Sequence, residues 1–293
     1  MIDGAPDLST TTPLPGESPA ACLARLEGQA DVRRVSFGDG EMVWRIWGEG
    51  RPVLFLHGGY GTWTHWVRNV LPLSRHFRVI VADMPGHGDA DALPRRSTRE
   101  DVATALARGF EGVLPSDGAY DLVGFSMGAN LSAAAIAAYG RQPENLVLVG
   151  AGGLGIESQP VTGLQKWRPD LPLADLDARH RNNLGIIMFH DPSRIDDLAV
   201  HVQRENGLRM RYHIRRDGAT TMLRDFLPQV KSRLAAVWGD ADVYTTGNRD
   251  QRIAALRRTH PDLRVSIIGD AAHWVMYEQA DAFNDRLLEL LRS

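Results

Sequence analysis

The residues whose types and spacing could do chemistry begin at Gly124-Phe125-Ser126-Met127-Gly128. An apolar run precedes these five residues and an alanine-rich run follows them. In that setting G-x-S-x-G forms a sharp strand-to-helix turn that exposes the serine hydroxyl. Glycine on both sides suits a tightly bent backbone with no space for a Cβ. A serine hydroxyl is a weak nucleophile at neutral pH, so it needs a base within hydrogen-bond reach and a third group to orient that base. His273, in Gly269-Asp270-Ala271-Ala272-His273-Trp274, follows the last strand-like run and is the expected base. His57 ends the run before the first Gly-rich loop, and His87 lies inside Pro85-Gly86-His87-Gly88, so both are less well placed. The expected carboxylate lies in Trp238-Gly239-Asp240-Ala241-Asp242. Asp242 sits deeper in that loop and can turn back to the histidine, whereas Asp240 suits capping of the turn.

An acyl-transfer site also needs two backbone N–H groups for the oxyanion that develops on the attacked carbonyl. One is expected from Met127, at the start of a helix whose dipole favours negative charge. The other is expected from His57-Gly58-Gly59-Tyr60-Gly61, at Gly59 with Tyr60 as the alternative. That loop lacks the G-x-G-x-x-G spacing of a dinucleotide-binding turn.

These loops must be positioned by a sheet. Residues 52–56, 78–82 and 121–125 are apolar runs followed at once by Gly-containing sequence, as expected of buried parallel strands. Helical patterns lie between them at 64–76 and 97–113, the second opening with Ser97 and Glu100 at capping-box spacing. A helix over 129–139 ending at Gly140 and a strand over 146–149 follow. From 156 to 231 the alternation stops and helix-like stretches with Pro breaks take over, predicting an inserted helical cap. Strands at 234–238 and 264–268 flank a helix over 248–258, and an amphipathic helix carrying Phe283, Leu287 and Leu291 closes the chain. The expected organisation is a tail over 1–30, partly mobile, and an α/β core from 31–155 and 232–293 around the cap.

With 293 residues and 43% hydrophobic content the chain can bury a large core. Its 33 Lys plus Arg against 36 Asp plus Glu leave no basic field for nucleic acid or an acidic membrane surface, so a small-molecule substrate is expected. The single cysteine, Cys22, excludes an internal disulfide framework and fits a reducing compartment. The first twenty residues lack the basic start and apolar run of a signal peptide, and no stretch approaches the ~18 apolar residues needed to span a bilayer. A soluble, cytoplasmic protein is expected, with a homodimer left open. No clustered Cys and His ligand set is present, so neither a metal nor another cofactor is expected.

From Val35 onward the sequence resembles the α/β-hydrolase superfamily, through His57-Gly58-Gly59, Asp83-Met84-Pro85-Gly86-His87-Gly88, the serine segment, Gly239-Asp240-Ala241-Asp242 and His273-Trp274. The resemblance implies an α/β-hydrolase fold: a mostly parallel eight-stranded sheet flanked by helices, with an inserted helical cap. Within the superfamily it is similar to the meta-cleavage product hydrolases, which cut a carbon–carbon bond in vinylogous diketone acids from aromatic degradation. The matches are His65-Trp66-Val67-Arg68-Asn69, Phe189-His190-Asp191-Pro192-Ser193-Arg194-Ile195, and His273-Trp274-Val275-Met276-Tyr277-Glu278 with Ala282-Phe283-Asn284. That family commonly has asparagine before the nucleophile, where this chain has Phe125, and its substrate-gripping cap arginine falls at Gln203, beside Arg204. Arg204, Arg209 and Arg211 either replace the missing charge or form a solvated helix face. The resulting expectation is a serine hydrolase acting on an ester or on a carbon–carbon bond next to a carbonyl, with Tyr60, Phe125, Trp274 and Arg204 as substrate contacts. The competing readings on the same fold are a non-hydrolytic ligand-binding protein and a cofactor-free oxygenase or haloperoxidase. Serine at position 126 disfavours enzymes that use an aspartate nucleophile.

Overall fold

The computed structural model describes residues 9–212 and 220–292. In chain order these form α1 (Pro19–Glu27), β1 (Asp31–Ser36), β2 (Glu41–Trp47), β3 (Pro52–Leu56), α2 (Val70–Ser74), β4 (Arg78–Asp83), α3 (Arg99–Val113), β5 (Asp121–Phe125), α4 (Met127–Tyr139) and β6 (Asn145–Val149). The chain then leaves the sheet for a helical insertion containing α5 (Leu173–Ile187), α6 (Asp197–Leu208) and α7 (Met222–Phe226). It returns through β7 (Arg233–Gly239), α8 (Arg249–Arg257), β8 (Arg264–Ile268), α9 (Val275–Glu278) and α10 (Ala280–Arg292). Residues 1–8 of the expected tail and 213–219 of the expected cap lie outside the described residues.

The eight strands form one sheet in the order β1-β2-β4-β3-β5-β6-β7-β8. β2 runs antiparallel to β1 and β4, and the remaining pairs are parallel. Register places Leu56 beside Gly124, Phe125 beside Val149 and Gly239 beside Ile268. The parallel strands therefore end on one edge, where ligands of open α/β sheets bind. Side chains alternate across the sheet: Leu54 and Leu56 join Trp44, Phe110, Ile136 and Trp238 on one face. Val53 and Phe55 join Trp66, Phe125, Trp274 and Phe283 on the other.

Two local expectations are corrected. The helix expected over 64–76 splits into a 3-10 turn, Trp63–Trp66, and the short α2. A continuous helix would bury Pro72 in its interior, where its ring and missing donor break the ladder; starting at Val70 keeps it in the first turn. Asn69, at the break, instead donates to Met276 O (2.9 Å) and Asn284 Oδ1 (2.8 Å). The capping box of α3 is Thr98 with Asp101, one residue later than Ser97 and Glu100. The tail is helical from Pro19, and α1 buries Cys22 and Leu26 while Trp47 Nε1 donates to Leu26 O at 2.9 Å.

The apolar run of β2 contains Arg45, whose side chain is 3% exposed and meets Asp83 (2.9 Å), Asp89 (2.5 Å) and Glu27 (2.6 Å). Burial alone would lower the pKa of this guanidinium; the charges of Asp83 and Glu27 outweigh burial and raise it. Asp83 also accepts from Trp63 N (2.8 Å) and Asp89 N (3.1 Å), so the pair fixes the loops after β3 and β4. Arg45→Met leaves a buried carboxylate without its cation, which costs about 3–5 kcal/mol. A fall in melting temperature of about 10 °C is expected by calorimetry; a change under about 2 °C would contradict this account.

Candidate active site

Ser126 sits between β5 and α4 with φ 49° and ψ −106°, a backbone that an L-residue adopts only under strain. Its N–H donates to Val149 O at 2.8 Å, and Gly128 N donates to His57 O at 3.1 Å, so the turn is pinned from two neighbouring strands. A Cβ on Gly128 would stand 2.5 Å from Leu56 O, and one on Gly124 would stand 2.5 Å from Ser132 Oγ. Both glycines are therefore required by close approach.

Asp242 and His273 meet on the same edge. His273 Nδ1 is 2.8 Å from Asp242 Oδ2, with the two side chains 3% and 0% exposed. Asp242 Oδ1 accepts from Tyr244 N at 2.9 Å, which sets the carboxylate plane. Asp240 accepts from Ala271 N at 3.2 Å and braces the histidine loop. A Cβ on Gly150 would lie 2.9 Å from His273 Cε1, and the Phe125 and His273 ring centroids are 4.9 Å apart. The imidazole thus lies beside the backbone that carries Ser126, with Nε2 as the nitrogen not engaged by the carboxylate.

The insertion helps hold His273. His273 N donates to Ile187 O (3.4 Å) and Trp274 N to Met188 O (3.1 Å). The Glu278 carboxylate accepts from Ala272 N (2.8 Å) in the histidine loop and from His190 N (3.0 Å) and Asp191 N (2.9 Å) in the insertion. Arg252, 2% exposed, donates to Asn248 Oδ1 (2.7 Å), Ser158 Oγ (3.0 Å) and the carbonyls of Ile156 and Tyr244 (both 3.2 Å). It joins the loop of Asp242 to the start of the insertion.

A cavity of about 190 Å³ opens against this edge, with Gly59, Tyr60, Met127 and Asn130 in its wall. Phe125 and Trp274 are fully buried away from it: Phe125 packs on His65 and Trp66, and Trp274 stacks on Tyr277 and donates from Nε1 to His65 O at 2.9 Å. Arg204 is also absent from the wall. It pairs with Asp177 on α5, with Glu205 (3.1 Å), and with His201 Nδ1 (2.9 Å). Arg209 pairs with Asp89, and Arg211 donates to Gly88 O (3.1 Å) and Ala90 O (2.6 Å).

Two buried histidines shape the loop after β3. Met84 N donates to His57 Nε2 (3.0 Å), so the proton is on Nδ1, which donates to Gly58 O (2.8 Å). Gly58 N donates to His65 Nδ1 at 3.3 Å. Burial pushes His57, His65 and His87 down to about 3, so each is neutral in the folded protein. Below the ordinary value near 6.5 the unfolded chain binds protons that the folded one refuses. Stability is therefore full above pH 6.5 and lost as pH falls toward 3, by about 1.4 kcal/mol per pH unit for each fully buried ring. Urea midpoints are expected to drop steeply between pH 6 and 4.5; a flat profile there would contradict neutral burial.

Among the described residues, no group of three or more His, Cys, Asp or Glu side chains could hold a metal ion, and no helix is long and apolar enough to cross a membrane. The model of the alpha/beta hydrolase family matches residues 53–286, and the chain belongs to that family. The protein is a hydrolase. A 2-hydroxy-6-oxononadienedioate/2-hydroxy-6-oxononatrienedioate hydrolase of Comamonas testosteroni is 27% identical over 259 residues, covering 83% of this chain and 88% of the relative. Of solved structures, the meta-cleavage product hydrolase of Pseudomonas fluorescens IP01 superposes with a TM-score of 0.70 at 19% identity, over 89% of this chain and 97% of that one. A carboxylesterase of Bacillus subtilis superposes with a TM-score of 0.67 at 18% identity, over 89% and 91%. The resemblance to meta-cleavage product hydrolases therefore stands.

Proposed function

We propose that Ser126, His273 and Asp242 form the catalytic triad of a serine hydrolase that cleaves an ester or a carbon–carbon bond adjacent to a carbonyl. The observation that carries this reading is the 2.8 Å bond between two fully buried groups, His273 Nδ1 and Asp242 Oδ2, beside the strained Ser126 turn. Ser126 Oγ attacks the carbonyl carbon and passes its proton to His273 Nε2, while Asp242 stabilises the imidazolium. The developing oxyanion accepts hydrogen bonds from Met127 N–H and from Gly59 N–H, or Tyr60 N–H in its place, both residues lying in the cavity wall. Collapse breaks the bond to the leaving group, which takes the proton from His273. Water, activated by the same imidazole, then hydrolyses the acyl-enzyme and regenerates the serine. The carbon–carbon reading is supported by the Comamonas testosteroni relative, whose name places it on a 2-hydroxy-6-oxo dienedioate.

Mass spectrometry after treatment with a fluorophosphonate tests the nucleophile: one phosphonyl group is expected on the peptide carrying Ser126. Labelling elsewhere, or none, would overturn the assignment. Turnover of 2-hydroxy-6-oxononadienedioate compared with p-nitrophenyl butyrate then separates the two bond classes.

A further inference from the structure

We propose that Arg252 is a positioning residue of the triad, its guanidinium clamping Tyr244 against Asp242 and His273 and holding a positive charge behind that pair. This rests on the serine-hydrolase reading, because Arg252 has such a role only if Asp242 and His273 act on Ser126. Arg252 lies on α8 and is 2% exposed. It donates to Asn248 Oδ1, Ser158 Oγ and the carbonyls of Ala151, Ile156 and Tyr244, all neutral acceptors, and no carboxylate of the described residues pairs with it. A buried charge with no opposite charge in contact is costly, which makes this an uncommon place for an arginine. Burial pushes the guanidinium below the usual arginine value, and Asp242 is the carboxylate whose charge opposes that push. An arginine stays charged even so.

Tyr244 carries the geometry. Its carbonyl accepts from Arg252 (3.2 Å) and from Ser158 Oγ (2.8 Å), and its N–H donates to Asp242 Oδ1 (2.9 Å). Its ring stands edge-on to that of His273, with centroids 4.8 Å apart. One residue thus touches the cation, the acid and the base. The charge acts on top of this clamp. A cation behind Asp242 favours the ionised carboxylate and disfavours every form of the pair that binds an extra proton, which extends to lower pH the range over which the imidazole can accept the Ser126 proton. The other ionisable groups around the pair are His65, neutral through burial, Tyr244 itself, Asp240, Arg249, which donates to Asp240 O, and Glu278, whose carboxylate is taken up by backbone N–H groups. Arg252 does not line the cavity beside Ser126, so it acts through the pair and not on substrate.

The test is the pH profile of kcat/KM on p-nitrophenyl butyrate, with active sites counted by fluorophosphonate titration. In Arg252→Met, kcat on the alkaline plateau is expected to fall about tenfold while KM changes by less than about twofold. The acid limb is expected to move up by about 0.5 to 1 pH unit, the size of one charge acting through a protein interior, so the loss below the limb exceeds the loss on the plateau by about three- to tenfold. Two substitutions at Asn248 separate charge from clamp while Arg252 stays in place. Asn248→Asp puts a carboxylate where Arg252 already donates at 2.7 Å, and is expected to move the limb the same way. Asn248→Ala removes that acceptor but leaves the charge, and is expected to keep the limb within about 0.2 pH unit. A limb unmoved in Asn248→Asp, a limb moved equally in Asn248→Ala, or a limb unmoved in a folded Arg252→Met overturns the proposal. Absence of a fluorophosphonate label on Ser126 in the unmodified protein would instead overturn the serine reading, so the two failures are distinguishable.

Discussion

Ser126→Ala is expected to lower kcat on any ester the protein turns over by roughly 10⁴- to 10⁶-fold, the loss found when a triad nucleophile is removed. The residual rate reflects the oxyanion donors and substrate binding, which the substitution leaves in place. Ser126 carries its strain in the backbone, at φ 49°. Alanine inherits the same φ, and the pinning bond from residue 126 N to Val149 O does not involve the side chain. The melting temperature should therefore move by no more than about 2 °C, since substitutions away from core packing and buried networks stay near 0.5 kcal/mol. Steady-state kinetics on p-nitrophenyl butyrate check the first figure and calorimetry the second. Retention of more than about 1% of kcat would remove Ser126 from the mechanism.

Asp242→Asn should be nearly as severe, about 10⁴-fold in kcat, and the reason lies in the second oxygen of the carboxylate. Tyr244 N donates to Asp242 Oδ1 at 2.9 Å, so an asparagine keeps its oxygen there and turns its NH₂ toward His273. That amide donates to Nδ1 and forces the imidazole proton onto Nε2, where the ring can no longer accept the serine proton. The fold is preserved because the two side chains are nearly the same size. Asp240→Asn serves as the contrast: its bond to Ala271 N is of a kind an amide oxygen can also accept, so a loss of no more than about threefold is expected. Equal losses in the two variants would refute the division of labour between the aspartates.

Much of the fold, and with it the loops that carry the proposed site, was legible in the sequence because parallel strands announce themselves. Runs such as 52–56 and 121–125 are buried throughout and, Asp121 apart, carry no polar side chain, as both faces of the sheet are covered, and each leads into a Gly-containing turn. The loops on one edge follow from that pattern. β1 and β2 did not announce themselves: β1 is an edge strand with mostly exposed side chains, and β2 carries Arg45 in its buried centre. That charge is tolerated through carboxylates at positions 27, 83 and 89, a convergence no local pattern reveals.

Of the four expected substrate contacts, Tyr60 lies in the cavity wall, and Phe125, Trp274 and Arg204 lie outside it for a related reason. Phe125 and Trp274 adjoin Ser126 and His273 in sequence, but neighbours in extended or sharply turned backbone point to opposite sides, and both rings enter the core. Arg204 has the right charge in the right segment, yet α5 presents Asp177 to it. The cavity wall joins residues as far apart as Gly59 and Met222, which share it only once the chain has folded.

The carboxylate of Glu278 couples two events usually treated separately. Because it holds Ala272 N and the N–H groups of His190 and Asp191 together, the segment around 187–191 cannot swing outward while the histidine loop stays put. Displacing that segment must either break these bonds or drag the imidazole with it. The segment around 187–191 and the loop that carries His273 are thus one mechanical part, joined through a single carboxylate.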